Sequence, residues 1–328
     1  MGSRHLAIAL VTGMSLGAPA ISAADDRVIA TLPAPTPVDA YAGRVVWSKP
    51  SPQGYRLVSY FRGKATTLPV APRSSPFDAD LGPGPNGSPV AVYSRCGVTR
   101  CSLYRFDLSR MRERHVSRPN GKFDETSPTI WRKRIALVRT FGLGRKAVYW
   151  RPLHGSGALH RLPAGPSYLP VVRDLDMRDR RIALLYGGEW GGGQVRLASI
   201  GGGSRLLAQV PGSGAAAMQY DIFGISLLPG IAYWALTQDA AMPETGQLRR
   251  RGVGKGIEQA ALTGISPHTA GFAQDGGASY YLVPHDEAAC VLTRPCPGPY
   301  DLHRRNGLRF AHAAPLELRR SGAAPSLD

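Results

Sequence analysis

Apolar residues come in short runs along this chain, each of strand length and each bounded by glycine, proline or polar turns. One run can be laid in register through the whole sequence. It reads Arg44-Val45-Val46-Trp47, Val90-Ala91-Val92-Tyr93, Ile135-Ala136-Leu137-Val138, Ile182-Ala183-Leu184-Leu185, Ile231-Ala232-Tyr233-Trp234 and Ala278-Ser279-Tyr280-Tyr281. Taken at the second residue of each, the spacings are 46, 45, 47, 49 and 47. A fixed period of this size marks a repeat array. Apolar residues sit side by side here instead of alternating with polar ones, which is the pattern of strands buried on both faces. The small residue in the second column fits a place where wedge-shaped units converge.

Residues 77–117 show the whole unit. Four runs rich in β-branched and aromatic residues follow one another: Phe77–Leu81, Pro89–Ser94, Ser102–Leu108 and Arg112–Ser117. The third run also recurs, at Tyr55–Tyr60, Ala147–Arg151, Gln194–Ile200, Gln247–Arg251 and Tyr300–Arg305. Turn signals such as Gly63, Gly201 to Gly203 and Asn306-Gly307 precede the fourth. Six copies of four strands predict an all-β fold, a six-bladed β-propeller of four-stranded antiparallel blades. A β-sandwich would explain the strands but not six equal periods.

The third run of the second repeat, Ser102-Leu103-Tyr104-Arg105-Phe106-Asp107-Leu108, resembles the xLYxxDL strand of the TolB-like propellers. The Gly-His and Trp-Asp pairs of WD40 blades are missing. The resemblance covers the six repeats loosely and is architectural; it implies a cell-envelope binding scaffold, not a reaction.

The ends of the chain differ from the repeats. Residues 1–24 carry a short polar start at Arg4 and His5, an apolar run over Leu6–Ala20, and small residues at Ser22-Ala23-Ala24, the layout of a cleaved signal peptide. Residues 25–37 contain the strand-like Arg27-Val28-Ile29-Ala30-Thr31-Leu32, assigned to ring closure in the last blade, because an unpaired edge invites aggregation. The propeller is expected over residues 38–315, and residues 316–328 read as a disordered tail. Ile222–Gln238 has no charged residue, but Pro229-Gly230 divides it into two strands, so no membrane span is expected once the signal is removed. The protein is expected to be exported, to the periplasm or the outside.

Four cysteines remain after such processing, in two close pairs. Cys96 with Cys101, and Cys290 with Cys296, bracket equivalent turns of the second and sixth repeats. A zinc site calls for tighter spacing and a shared location, so two local disulfides are expected. The formal charge is +17, from 40 Lys and Arg against 23 Asp and Glu. Residues 95–151 hold 15 basic side chains and four acidic ones. Arg100, Arg105, Arg110, Arg112 and Arg114 are the candidate exposed contributors to an anion-attracting face, against the plainer reading of a solvated surface.

Catalytic motifs are few and fail on context. The Gly-x-Ser-x-Gly at residues 13–17 lies in the leader, and the Gly-x-Gly-x-x-Gly at residues 82–87 leads into a strand instead of a helix. No histidines stand at metal-ligand spacing. Two weaker constellations remain. Asp39, Asp78, Asp80, Asp174, Asp176 and Asp221 fall in or near first strands, which line a propeller's channel. They could hold a hard cation such as calcium, or simply cap strands; no cofactor is otherwise expected. Trp190, in the glycine-rich loop at residues 187–193, could stack on a ligand or pack on a neighbouring blade. The expected function is therefore non-catalytic binding of a protein or an anionic envelope polymer through one face, with nucleic acid not expected as partner. The alternative is a lyase or hydrolase using the channel-mouth carboxylates.

Overall fold

Adjacent residues of one strand feed different cores. Val45 packs with the last blade and Val46 with the second; Ala91 faces the first blade, Val90 and Val92 the third. Strands so placed have no solvent face, which is why the sequence runs apolar without alternation. The computed structural model describes residues 26–97, 100–116, 122–142, 145–153, 158–163, 171–187, 192–210, 220–238, 246–254, 256–266, 269–286, 290, 296 and 298–306. The expected leader and tail, and Trp190, lie outside them, as do the side chains of Asp221 and a few other strand residues.

These residues form six four-stranded antiparallel sheets. Strand β1 (Asp26–Leu32) precedes the first. Blade 1 is β2 (Val38–Tyr41), β3 (Arg44–Ser51), β4 (Gly54–Phe61) and β5 (Lys64–Thr67). Blade 2 is β6 (Asp80–Pro83), β7 (Pro89–Cys96), β8 (Cys101–Asp107) and β9 (Arg112–His115). Blade 3 is β10 (Asp124–Trp131), β11 (Arg134–Thr140), β12 (Lys146–Pro152) and β13 (His160–Arg161). Blade 4 is β14 (Val171–Arg178), β15 (Arg181–Gly187), β16 (Gly193–Ser199) and β17 (Ser204–Val210). Blade 5 is β18 (Tyr220–Leu228), β19 (Ile231–Gln238), β20 (Gly246–Gly252) and β21 (Gln259–Ile265). Blade 6 is β22 (Phe272–Asp275), β23 (Ala278–Pro284) and β24 (Tyr300–Asn306), with β1 as its outermost strand. β1 pairs antiparallel with β24 from Asp26 opposite Arg305 to Leu32 opposite Tyr300. The two ends of the described chain thus share one sheet, and the ring is closed by main-chain hydrogen bonds.

The first strands β2, β6, β10, β14, β18 and β22 touch in succession around the channel, and β22 meets β2. The small second column is buried throughout: Val45, Ala91, Ala136, Ala183, Ala232 and Ser279 have no exposed surface. Tight first-to-second-strand turns use left-handed residues, with Ala42, Arg132 and Asp179 at φ of 53°, 55° and 56°. No helix among the described residues is long and apolar enough to cross a membrane.

One boundary differs from the sequence reading. The first strand of blade 2 is Asp80–Pro83 and not Phe77–Leu81. Gly82-Pro83, read as turn residues, lie inside it because the backbones of blades 2 and 3 nearly touch there. A Cβ on Gly82 would stand 2.1 Å from the carbonyl oxygen of Ile130.

Candidate functional site

First strands begin on the face that also carries the loops between second and third strands, so this face is the channel mouth. Both disulfides sit there. Cys96 and Cys101 are directly opposed at the ends of β7 and β8, with Cα atoms 3.8 Å apart; Cys290 and Cys296 are 4.6 Å apart. No described cysteine is free, the state of a chain folded in an oxidising compartment. The Cys96 link holds the hairpin of blade 2. Cys296 is buried at the mouth, and its carbonyl accepts the Tyr300 hydroxyl at 3.1 Å.

A cavity of about 520 Å³ opens at this mouth. Pro35, Pro128, Ile222, Phe223, Ala270 and Tyr300 give it mainly apolar walls. Asp39, Asp78, Asp80, Asp174 and Arg173 supply the charges. Four of the six predicted channel carboxylates therefore meet in one cavity. Asp176 lies near enough to raise the proton affinity of Asp39 and Asp80. Asp221 is in β18 opposite Thr237.

These carboxylates do a specific structural job. Each of the five whose side chains are described accepts a backbone N–H from the first strand of the next blade. Asp39 takes the N–H of Leu81. Asp80 takes that of Ile130 at 3.0 Å, and Asp176 that of Leu227 at 2.5 Å. Two hydroxyls continue the series: Thr129 Oγ1 accepts from Met177 and Ser226 Oγ from Gln274, both at 2.9 Å. Five of the six blade junctions are tied this way. At the sixth, between blades 6 and 1, the equivalent residue is Ala273, which has no acceptor; there β1 closes the sheet and Asp275 Oδ2 accepts the N–H of Gly43 at 2.5 Å.

Thr129 and Ser226 were invisible to a search for carboxylates. The available signal was positional. Asp39, Thr129, Asp176 and Ser226 stand six or seven residues before the small column residue of their blade, and a search for any short acceptor at that offset finds all four.

Asp78 and Asp174 form an outer tier. Asp78 is saturated: Oδ1 accepts from Arg73 at 2.8 Å and from the Ser94 N–H at 2.9 Å, Oδ2 from the Ser94 hydroxyl at 2.6 Å and the Ser127 N–H at 2.7 Å. It is a pin joining blades 1, 2 and 3. Asp174 sits at a β-bulge and accepts from Ile225 at 2.9 Å and Leu175 at 2.8 Å.

Burial decides the ionisation of this group. Asp39, Asp80, Asp174 and Asp176 are enclosed among the first strands, so their charged forms are poorly solvated. Burial first, and then the charge of Asp176, hold Asp39 well above the usual carboxylate range. Burial, then Asp39 and Asp176, do the same for Asp80. Burial brings Asp174 and Asp176 to about 7 each, against the opposing pull of their N–H donors. Among the described residues no set of three His, Cys, Asp or Glu is arranged to hold a metal ion.

The candidate basic residues are not brought together on the mouth. Arg100 is exposed there, before β8, whereas Arg110 lies in the turn beyond its other end. Seven strand residues at about 3.3 Å each separate the two. Arg105 is directly opposite Arg114, and Arg112 opposite Asp107, along the outer edge of blade 2. Burial and the Arg114 charge lower the proton affinity of Arg105. Arg110 pairs with Asp107 at 3.4 Å with its side chain 67% exposed. Other members of the basic stretch are spent internally: Arg95 pairs with Glu113, and Arg139 with Glu125 at 2.6 Å.

No family model matches the sequence, and no curated protein is similar to it. Its fold is matched by solved structures. TolB from Acinetobacter baumannii superposes with a TM-score of 0.50 at 11% identity, over 81% of this chain and 65% of that one. An oligogalacturonate lyase in complex with manganese gives 0.52 at 10% identity, over 88% and 94%. A mutant of AofleA from Arthrobotrys oligospora gives 0.52 at 12% identity, over 80% and 83%. At these identities the likeness is one of fold, and the chain spans about two thirds of the TolB length. The chain is a six-bladed β-propeller of TolB-like architecture.

Proposed function

We propose that this protein is a non-catalytic binding propeller, exported through its leader to the periplasm or beyond, that presents the channel-mouth face to a partner. The observation that carries this reading is the use made of the mouth carboxylates. Asp39, Asp78, Asp80 and Asp174 all hold backbone N–H groups of neighbouring strands, which makes them parts of a rigid frame around a concave, mainly apolar cavity. Concave apolar sites with few fixed polar groups are where ligands bind. Disulfides on two mouth loops keep that face in one shape, which lowers the entropy lost on binding.

The partner is a protein or an anionic envelope polymer. The net charge of +17 and the exposed arginines on the outer edge of blade 2 would draw an anionic surface and raise the association rate. The test is retention of a partner from envelope extract by the mature protein, by Ala270→Trp, which fills the mouth, and by a triple change of Arg110, Arg112 and Arg114 to Glu. Loss with Ala270→Trp supports the mouth. Full retention by that variant refutes it.

A second reading has one observation behind it. Asp174 and Asp176 near 7 are poised for proton transfer at neutral pH, as in a lyase or hydrolase. Turnover of anionic oligosaccharides such as oligogalacturonates by the purified protein, abolished in Asp174→Asn, would establish it over the binding reading.

A further inference from the structure

The mouth cavity contains more acceptors than the frame needs donors. Asp39, Asp80 and Asp174 reach it from three blades; burial raises the proton affinity of all three, and neighbouring carboxylates raise it further for Asp39 and Asp80, which means that an added positive charge among them would be stabilised. Thr36, which also lines the cavity, is only 3% exposed, and its Oγ1 has no hydrogen-bond partner. A buried hydroxyl left alone is unfavourable, so a group that donates to it is favoured. Ile222 and Phe223 also line the cavity and add apolar surface.

Three features then select the ligand. The carboxylates disfavour anions. The apolar walls disfavour a hydrated inorganic ion, and no described set of three metal-ligating side chains is arranged to hold one. An ammonium group carries three donors and a full charge, and matches scattered single acceptors better than a planar or neutral group does. We propose that the mouth cavity binds an organic cation, a protonated amine on a compact apolar body, with its ammonium among Asp39, Asp80 and Asp174 and with Thr36 as a further acceptor. This rests on the mouth being the binding face and, because the carboxylates disfavour anions, selects a protein bearing such a group over an anionic polymer as what the mouth takes. Arg173 is the one cationic lining residue described, and it lies against Gly187.

The experiment is calorimetric titration of the folded mature protein at pH 8 with 2-phenylethylammonium, its neutral isostere 2-phenylethanol, the anion 3-phenylpropionate, and calcium chloride. The ammonium compound should bind with a dissociation constant of about a millimolar or tighter. It should bind at least tenfold more tightly than either isostere. Asp174→Asn keeps an oxygen for the Ile225 N–H, and should weaken the ammonium at least fivefold while leaving 2-phenylethanol unchanged. If that variant fails to fold, the comparison of the four probes on the native chain decides alone. Equal binding of the neutral or anionic probe overturns the cation class and leaves the mouth as a binding face. Calcium displacing the ammonium at micromolar levels makes the site a metal site and overturns the proposal. No heat with any probe also overturns it, whereas the mouth reading itself falls only if Ala270→Trp keeps its partner.

Discussion

Single acceptors between blades carry an identifiable share of the stability. Thr129 and Ser226 are almost wholly buried, at 0% and 2% exposure, and each takes an N–H from the next blade. Removing the acceptor leaves a buried donor with weakened or no pairing, which costs about 1–3 kcal/mol. Thr129→Val and Ser226→Ala should each lower stability in denaturant titration by that amount, and a change under about 0.5 kcal/mol would show that these bonds are replaced by water. The carboxylates give a pH dependence of definite sign. A folded-state value of about 7 for Asp174 and Asp176, above the ordinary 3.8, means that the folded state binds protons more tightly than the unfolded one. Their contribution is therefore fully present below about pH 4 and is lost as pH rises through about 7. Calorimetry should show a melting temperature lower at pH 8 than at pH 5 by about 2–4 °C or more. The difference should shrink in Asp176→Asn. These residues were legible as channel carboxylates because aspartate in a strand is unusual. What each does was not, because a carboxylate that ties a blade and one that binds a ligand look alike in sequence.

At the level of strands, the six-fold period was readable because second strands are sandwiched between two cores, which favours mainly apolar residues, small ones in the second column. Ala136 and Ala183 have no exposed surface, so Ala136→Leu should cost about 1–3 kcal/mol through overpacking. Boundaries were less legible. The first strand of blade 2 is displaced because Gly82 serves a close backbone approach from blade 3, a contact with no local mark in the sequence. The edges of blades are equally obscure: Arg105, Arg112 and Arg114 occupy one long edge, but nothing local says which way their side chains face or that Arg95 and Arg139 are already paired. Strand β1 makes the strongest element-level prediction. It covers β24, whose Tyr300 and Leu302 have no exposed surface. Deleting residues 26–32 bares that edge and breaks ring closure, and the product should aggregate or melt well below the full chain. A monomeric product with an unchanged melting temperature would mean that the ring holds without this strand.

At the scale of the whole molecule, the described blades form a closed ring. Six cores lie between neighbouring blades; five junctions are tied by acceptors on first strands, and at the sixth Asp275 accepts from Gly43 while β1 completes the sheet of blade 6. Two short disulfide loops add about 2 kcal/mol each on the chain-entropy account, so mild reduction should loosen the mouth without unfolding the propeller. The attraction of the basic surface for an anionic polymer is a separate matter from the mouth. Being exposed, it should fade between about 0.1 M and 1 M salt, as the screening length falls from roughly 10 Å to roughly 3 Å. The most direct test of the account is partner retention from envelope extract at physiological salt, compared between the native chain and Ala270→Trp after both are shown to melt alike. The account predicts that filling the mouth abolishes retention while the Arg110, Arg112 and Arg114 triple change to Glu only slows association. Undiminished retention by the filled-mouth variant, with loss in the triple variant, would contradict it and move the binding face to the outer edge of blade 2.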